Sequence, residues 1–172
     1  MAWDGMLRDS GFSNERIANI ILTRFTSGDT KSGIKFSLDG AYLGDGGIID
    51  YISADAYNIL YNYNKKLIVN NKVKNGKLSG KLNNLKLRVE HIIPSACAFN
   101  YLNDLFKAGK LMDIKPILEI FPYLKLAVIT HEEDARLNAA KLRQKMPDGW
   151  IWDLNNMDMF ARYNAVNITL FK

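Results

Sequence analysis

Apolar residues recur at helical intervals near the start of the chain. Between residues 13 and 26, Ile17, Ile21 and Phe25 follow one another at steps of four, which places them on one face of a helix. Ser13 precedes this pattern and can cap the first turn. The sequence therefore predicts an amphipathic helix over residues 13 to 26.

The next stretch, residues 27 to 47, is rich in glycine. Within it, apolar and polar residues alternate from Ile34 to Leu38, which is the period-two pattern of a strand. The pattern favours strand and loop for the whole stretch. Beyond it, the step from Ser53 to Asp55 predicts the start of a second helix within residues 48 to 64.

The second half of the chain predicts an ordered series of elements. Leu85, Leu87 and Val89 alternate with charged residues, which is typical of a half-buried strand, and Pro94 turns the chain after it. The predicted elements that follow are helix 95–107 capped by Ser95, a short helix over 113–120, strand 124–129, and a helix capped by Thr130 that closes with Lys141, Arg143 and Lys145.

Composition narrows the class of protein. The chain has 172 residues, of which 48% are hydrophobic, and this is typical of a globular protein with one domain or one domain and an appendage. A single cysteine, Cys97, excludes an intramolecular disulfide and a multi-cysteine zinc site. No stretch approaches the roughly 18 apolar residues that span a bilayer, and residues 1 to 10 lack a leader signature. We therefore expect a cytoplasmic protein that does not associate with membranes.

Positive charge is concentrated in residues 65 to 88, which we call the basic strip. It carries 8 basic and no acidic side chains, whereas residues 1 to 64 carry 5 basic and 8 acidic ones. Lysines along a strip can bind nucleic-acid phosphates with little regard to base sequence, but such a strip can equally be a solvated loop. The candidate nucleic-acid contacts in it are Lys72, Lys74, Lys77, Lys81, Lys86 and Arg88.

One histidine and several oxygen-bearing side chains are candidates for a catalytic, metal-binding site. His91 ends the predicted strand, where an imidazole can be held rigidly and can take a proton from water. Glu90 adjoins it, and Asp134 and Asn138 are four positions apart on the helix that Thr130 caps, so they share a face. This donor set suits Mg²⁺ or Mn²⁺, which keep several waters and accept phosphate oxygens.

The run Leu87-Arg-Val-Glu-His-Ile-Ile-Pro94 resembles the motif of HNH endonucleases, in which the first strand of a ββα-metal fold typically ends in Asp-His-Ile-Val/Ile-Pro or a close variant. The run from Val128 to Asn138 is similar to the second strand and metal-binding helix of that family. In the nuclease colicins the two helix ligands lie four and eight positions beyond the threonine that closes the strand, and here those offsets give Asp134 and Asn138. The resemblance covers approximately residues 85 to 146.

The resemblance implies roles for these residues. His91 is the expected general base and catalytic residue, Glu90 and Asp134 are expected ligands of Mg²⁺ or Mn²⁺, and Asn138 is a ligand or a residue that orients the site. His131 is a possible additional ligand. Glu90 replaces the usual aspartate, and Asp134 and Asn138 stand where histidines often serve, which favours a harder ion than zinc or nickel.

The resemblance also implies a fold class, and the change in charge composition after residue 64 divides the chain. We expect an α+β protein with a ββα-metal, HNH-like core that contains inserted short helices. Residues 1–64 form an N-terminal α/β extension of unknown function packed on the core. Residues 65–172 contain the basic strip, the nuclease core and a C-terminal tail.

The leading expectation is a metal-dependent endonuclease that hydrolyses DNA phosphodiester bonds, with DNA preferred over RNA because of the family. Cleavage of both strands at a symmetric site would require a homodimer. One alternative is a non-catalytic, basic nucleic-acid-binding protein, and another is a small interaction protein whose basic strip meets an acidic partner. Beyond the strip, the candidate phosphate contacts are Arg136, Arg143 and Lys145.

Overall fold

The computed structural model describes residues 12–42, 48–64, 68–69, 72–74 and 79–172. The helices within these ranges are α1 (Asn14–Thr26), α2 (Lys31–Tyr42), α3 (Ala54–Asn64), α4 (Ser79–Asn84), α5 (Ser95–Lys107), α6 (Lys115–Ile120), α7 (His131–Ala139) and α8 (Ala161–Asn164). The strands are β1 (Ile48–Ile49), β2 (Tyr51–Ser53), β3 (Ile68–Val69), β4 (Lys72–Lys74), β5 (Leu87–His91), β6 (Leu126–Thr130) and β7 (Leu170–Phe171). None of these helices is both long and apolar enough to cross a membrane.

The main sheet has the strand order β5, β6, β2, β7. β6 pairs antiparallel with β5 and parallel with β2, and β7 pairs antiparallel with β2. In the β5–β6 pair, Leu87 lies opposite Thr130 and His91 opposite Leu126. A second, antiparallel sheet has the order β1, β4, β3. The protein is therefore of the α+β class, and α7 follows directly after an antiparallel strand pair.

Strand β6 is buried along its whole length because both of its faces are covered. Leu126 and Val128 belong to a hydrophobic cluster that also contains apolar residues of α1, α2, α5 and α6. Ala127 and Ile129 belong to a second cluster that contains Leu137 of α7 and residues near the C-terminus. Since side chains alternate along a strand, helices on one face and the C-terminal segment on the other hold β6 between them.

The expectation of strand and loop in residues 27 to 47 holds for the turn at residues 27–30 and is wrong for Lys31–Tyr42, which form α2. Ile34 and Leu38 are four residues apart, so they fit one helix face as well as alternate strand positions, and both are buried there. Phe36, which the strand pattern would place beside them, is 40% exposed. Residues 43–47 lie outside the described residues.

The starts of several helices are confirmed. Ser13 caps α1 by accepting a hydrogen bond from the Arg16 N–H at 3.3 Å, and Thr130 caps α7. Helix α5 begins at the predicted residue, but Ser95 is its first residue rather than its cap, and no side chain caps it.

The predicted end of the last long helix is wrong. α7 ends at Ala139, and Lys141 adopts a left-handed conformation with φ of 60°. The Leu142 N–H then bonds back to the Leu137 carbonyl at 2.8 Å, which is how a helix is closed after a left-handed residue. Buried Leu142 holds the chain in this turn, so Lys141, Arg143 and Lys145 follow the helix instead of ending it.

Candidate active site

The sequence places acidic and basic side chains on one face of β5. Arg88 and Glu90 are two residues apart and therefore point to the same side of the strand, and Glu90 lies opposite Ala127 of β6. The Glu90 side chain is only 12% exposed. Burial raises the pKa of its carboxyl group, the negative charge of Asp134 adds to the rise, and the positive charges of Arg162 and Arg88 oppose it.

The first turn of α7 is fixed by a network of buried hydrogen bonds. The Thr130 hydroxyl accepts from the Glu133 N–H at 3.1 Å, and the Glu133 Oε2 atom accepts from the Thr130 N–H at 2.8 Å, which forms a complete capping box. Ser53 of β2 donates to the same Oε2 atom at 2.6 Å. This network sets the position of Asp134, the next residue of the helix.

Arg88 connects the two predicted metal ligands. Its Nη1 atom lies 2.6 Å from the Asp134 Oδ2 atom, and its Nε atom lies 3.3 Å from the Glu90 Oε1 atom. The structure thus brings Glu90 and Asp134 to one guanidinium. The other Asp134 oxygen, Oδ1, is buried and has no hydrogen-bond partner among the described residues.

A second arginine, Arg162 of α8, holds the end of β5. It is fully buried and donates to the backbone carbonyls of His91, Ile92, Leu142 and Arg143. Its Nη2 atom also lies 3.3 Å from the Glu90 Oε2 atom. A buried cation must be paired, so this guanidinium and Glu90 stabilise each other where neither would be stable alone.

The sequence interpretation missed Arg162. The available signal was a single cation inside the apolar tail that was expected to pack. A buried arginine requires an acidic partner, but the sequence does not show whether that partner is nearby Asp158 or a distant carboxylate such as Glu90.

His91 lies where β5 ends. Its Nε2 atom is 3.5 Å from the Asp39 Oδ1 atom of α2, and its side chain is 33% exposed. Most of the ring is surrounded by protein, and this burial, followed by the positive charges of Arg162 and Lys35, lowers the pKa of His91 to about 4 despite the nearby Asp39 carboxylate. The imidazole is therefore neutral at pH 7.

An open pocket of about 180 Å³ adjoins His91. Its lining includes Lys35 of α2 and Arg143, which follows α7, as well as Ser95 and Ala96 in the first turn of α5. Three residues of the sequence prediction, Glu90, His91 and Arg143, thus meet at one pocket, and Lys35 joins them from a helix that the sequence did not predict.

The other candidates on and after α7 are distributed over the surface. Asn138 and His131 are exposed, and the His131 N–H donates to the Lys86 carbonyl at 2.8 Å. Arg136 donates to the carbonyls of Val166 and Asn167 and so helps to hold the C-terminal segment. Exposed Lys145 pairs with Asp148 at 3.0 Å.

The basic strip is described only in part. Lys72 and Lys74 lie in β4 and Lys81 in α4, but the positions of their side chains are not described. Lys77 lies outside the described residues. Lys86 is exposed and has a positive φ of 53°. The predicted nucleic-acid contacts of the strip therefore remain predictions.

The predicted ligands Glu90, Asp134 and Asn138 fit a hard cation such as Mg²⁺ only in part. Among the described residues, no group of three or more His, Cys, Asp and Glu side chains is arranged to hold a metal ion. Mg²⁺ often uses one or two carboxylates and completes its shell with waters and phosphate oxygens, which Glu90 and Asp134 could provide. The buried Asp134 Oδ1 atom is an oxygen of the required kind that makes no hydrogen bond in the described part of the chain.

Comparisons of this chain with protein-family models, with curated proteins and with solved structures found no match.

Proposed function

We propose that this chain is an HNH-type, metal-dependent endonuclease that hydrolyses DNA phosphodiester bonds. The observation that carries the proposal is the pocket at the end of β5, which is lined by His91 and Glu90 together with two cations, Lys35 and Arg143. A phosphodiester is an anion, so a pocket that combines a neutral imidazole with positive side chains suits it. The order of β5, β6 and α7 also agrees with the strand–strand–helix order that the HNH resemblance implies.

In this proposal His91 acts as the general base. Its neutral imidazole accepts a proton from a water molecule, whose oxygen forms a bond to phosphorus while the bond from phosphorus to the leaving sugar oxygen breaks. The leaving oxygen takes a proton from solvent. Asp134 and Glu90 do not take part in proton transfer, because each is held by an arginine.

Glu90 and Asp134 are the residues that would hold Mg²⁺ or Mn²⁺. When bound, such an ion polarises the phosphate and stabilises the charge that develops on the leaving oxygen. The Arg88 guanidinium lies between the two carboxylates, so an incoming cation competes with it for them. Asn138 and His131, which are exposed on α7, are the remaining candidate metal ligands that the resemblance suggests.

A plasmid-nicking assay with Mg²⁺, with Mn²⁺ and with EDTA tests the proposal. We expect cleavage that depends on the metal and that His91→Ala lowers by roughly 10²- to 10⁴-fold, as is usual for loss of a general base. DNA binding should stay within a few-fold. Asn100→Ala is the control, because it truncates an exposed side chain on α5 that has no role in the proposed site, and we expect it to change cleavage far less. Equal cleavage by His91→Ala and the wild type would exclude the proposed mechanism.

A second candidate function is non-catalytic binding of nucleic acid. It is favoured by the pairing of both carboxylates with arginines, since Glu90 and Asp134 then have a structural role that needs no metal. This candidate predicts binding that weakens with salt, is indifferent to EDTA, and is accompanied by no nicking. The same assay separates the two candidates.

A further inference from the structure

Helix α2 presents two charged residues toward the end of β5. Lys35 and Asp39 are four residues apart and so lie on one face of the helix. Their neighbours Ile34 and Leu38 are buried in the hydrophobic cluster and fix the rotation of α2. The N-terminal part of the chain, for which the sequence indicates no function, therefore contributes side chains to the surroundings of His91.

Asp39 faces the imidazole of His91. The Asp39 Oδ1 atom lies 3.5 Å from the His91 Nε2 atom, and this close contact limits the orientations that the imidazole ring can adopt. On the other side, Arg162 and Tyr163 donate hydrogen bonds to the His91 backbone carbonyl, so the main chain of the residue is fixed as well.

Lys35 and Arg143 line the same pocket as His91 but come from distant parts of the chain. A water molecule needs roughly 10–15 Å³ of such space, so about 180 Å³ has room for a phosphate group and several waters. Arg143 can contact two phosphate oxygens at once, and Lys35 supplies a compact charge beside them. Glu90 is the acidic residue in this lining, and its carboxylate is paired with Arg162 and Arg88.

We infer that α2 completes the active site: Lys35, together with Arg143, binds the phosphate that is attacked, and Asp39 is a positioning residue for His91. This inference rests on the proposed function and extends it to the N-terminal part of the chain. It identifies the ligand of the pocket as a phosphate group of the nucleic-acid backbone.

Binding of inorganic phosphate in EDTA at low salt, followed by calorimetry, tests the role of Lys35 without any need for cleavage. We expect Lys35→Met to weaken binding about tenfold, as for loss of a hydrogen bond to a charged group. Lys31→Met is the matched control, since Lys31 lies one turn earlier on α2, with its ammonium over the Phe99 ring, and we expect less than a twofold change. Equal effects of the two variants, or none, would overturn the phosphate site.

The role of Asp39 is tested by steady-state cleavage and by ¹⁵N NMR of the imidazole. We expect Asp39→Asn to lower kcat about tenfold with little change in KM, Asp39→Glu to restore part of kcat, and Lys35→Met to raise KM instead. The His91 Nε2 resonance should shift in Asp39→Asn but not in Asp104→Asn, which alters an exposed carboxylate on α5. An unchanged resonance and unchanged kcat would overturn the positioning role.

The outcomes separate the inference from the function on which it rests. Phosphate binding that requires Lys35, in a chain that does not nick DNA, would refute the proposed nuclease while leaving the anion pocket in place. Nicking that requires His91 but is unaffected by Lys35→Met and Asp39→Asn would refute the inference alone.

Discussion

Arg162 is the residue on which the geometry of the candidate site depends most directly. Its guanidinium bonds to the His91 and Ile92 carbonyls and to Glu90, and its neighbour Tyr163 donates to the same His91 carbonyl at 2.9 Å. These contacts fix both the main chain and one carboxylate at the end of β5. His91 and Glu90 are thus held by a residue about 70 positions away in sequence.

Replacement of Arg162 should therefore destabilise the whole protein. In Arg162→Met, Glu90 and several carbonyls lose their partner in a buried place, and breaking a buried pair in this way costs about 3–5 kcal/mol. Urea unfolding followed by tryptophan fluorescence measures the effect. Lys110→Met removes an exposed charge and should change the free energy of unfolding by no more than about 0.5 kcal/mol. Similar stabilities for the two variants would show that Arg162 is not the anchor described here.

The pKa of His91 also gives a prediction about stability in acid. Between pH 6.5 and about pH 4 the unfolded chain binds a proton at this residue that the folded chain does not, so the free energy of unfolding decreases as pH falls through this range. Protonation of Glu90, whose pKa burial raises, acts in the opposite direction.

His91→Gln should remove the His91 contribution and leave that of Glu90, so its stability should depend less on pH. The difference from the wild type is at most about 1.4 kcal/mol per pH unit. Chemical unfolding at pH 4 to 7 measures it, with Asn100→Gln, an exposed change that removes no titrating group, as the control that retains the wild-type slope. A wild-type slope in both variants would contradict the assignment.

The sequence predicted those site residues whose relationship is local. Glu90 and His91 are adjacent, and Asp134 lies at a fixed offset from a threonine cap. Their spacing along the sequence is therefore enough to single them out. Arg162, Lys35 and Asp39 reach the site only through tertiary contacts, for which a single sequence gives no pairing signal. The same limit applies to the pairing of Arg88 with two carboxylates, for which the sequence gives no signal.

At the scale of elements, the start of α7 is held in place by contacts with two strands. Its capping box involves Thr130, which is also the last residue of β6, and Glu133, which Ser53 of β2 contacts. One cap therefore couples two strands and the helix that carries Asp134. This explains why the start of α7 could be predicted from sequence, whereas its end, set by the burial of Leu142, could not.

Thr130→Ala should lower the free energy of unfolding by about 1 kcal/mol, because the Glu133 N–H and part of the buried network lose an acceptor. Thr130→Ser retains the hydroxyl oxygen and should lose less. Thermal unfolding of both variants measures the difference. If the serine variant were as unstable as the alanine variant, packing of the threonine methyl rather than the cap would be the cause.

The strand prediction is wrong at α2 because the local pattern of apolar residues there fits two kinds of element. Ile34 and Leu38 satisfy a helix and a strand equally, and the surrounding glycines favoured the strand. Burial of Ala41 beside them resolves the ambiguity in favour of a helix, but that burial arises from packing against α1 and α5. The local sequence pattern therefore determined where helices are capped. Tertiary packing determined whether an ambiguous segment became a helix or a strand.

At the scale of the molecule, the N-terminal part is structurally inseparable from the sheet. β2 lies between β6 and β7, and its parallel pairing with β6 places Ile52 opposite Val128. Residues of α1 and α2 share one hydrophobic cluster with Leu126 and Val128. Removal of residues 1–64 would expose one edge of β6 and much of this cluster to water, and it would remove Ser53 from the network at the start of α7.

We therefore expect a chain of residues 65–172 to lose cooperative unfolding, although it contains every motif that resembles the HNH family. Apolar burial contributes about 25 cal/mol per Å², and the fragment loses the partners of both α5 and β6. Circular dichroism during urea unfolding should show a sharp transition for the full chain and a gradual one for the fragment. Inorganic phosphate binding should disappear from the fragment, because Lys35 is absent and a fragment that does not fold no longer holds Arg143 beside His91. A fragment that unfolds cooperatively would instead indicate that the extension, as the sequence suggested, is packed on an independent core, and its phosphate affinity would then measure what Arg143 contributes without Lys35.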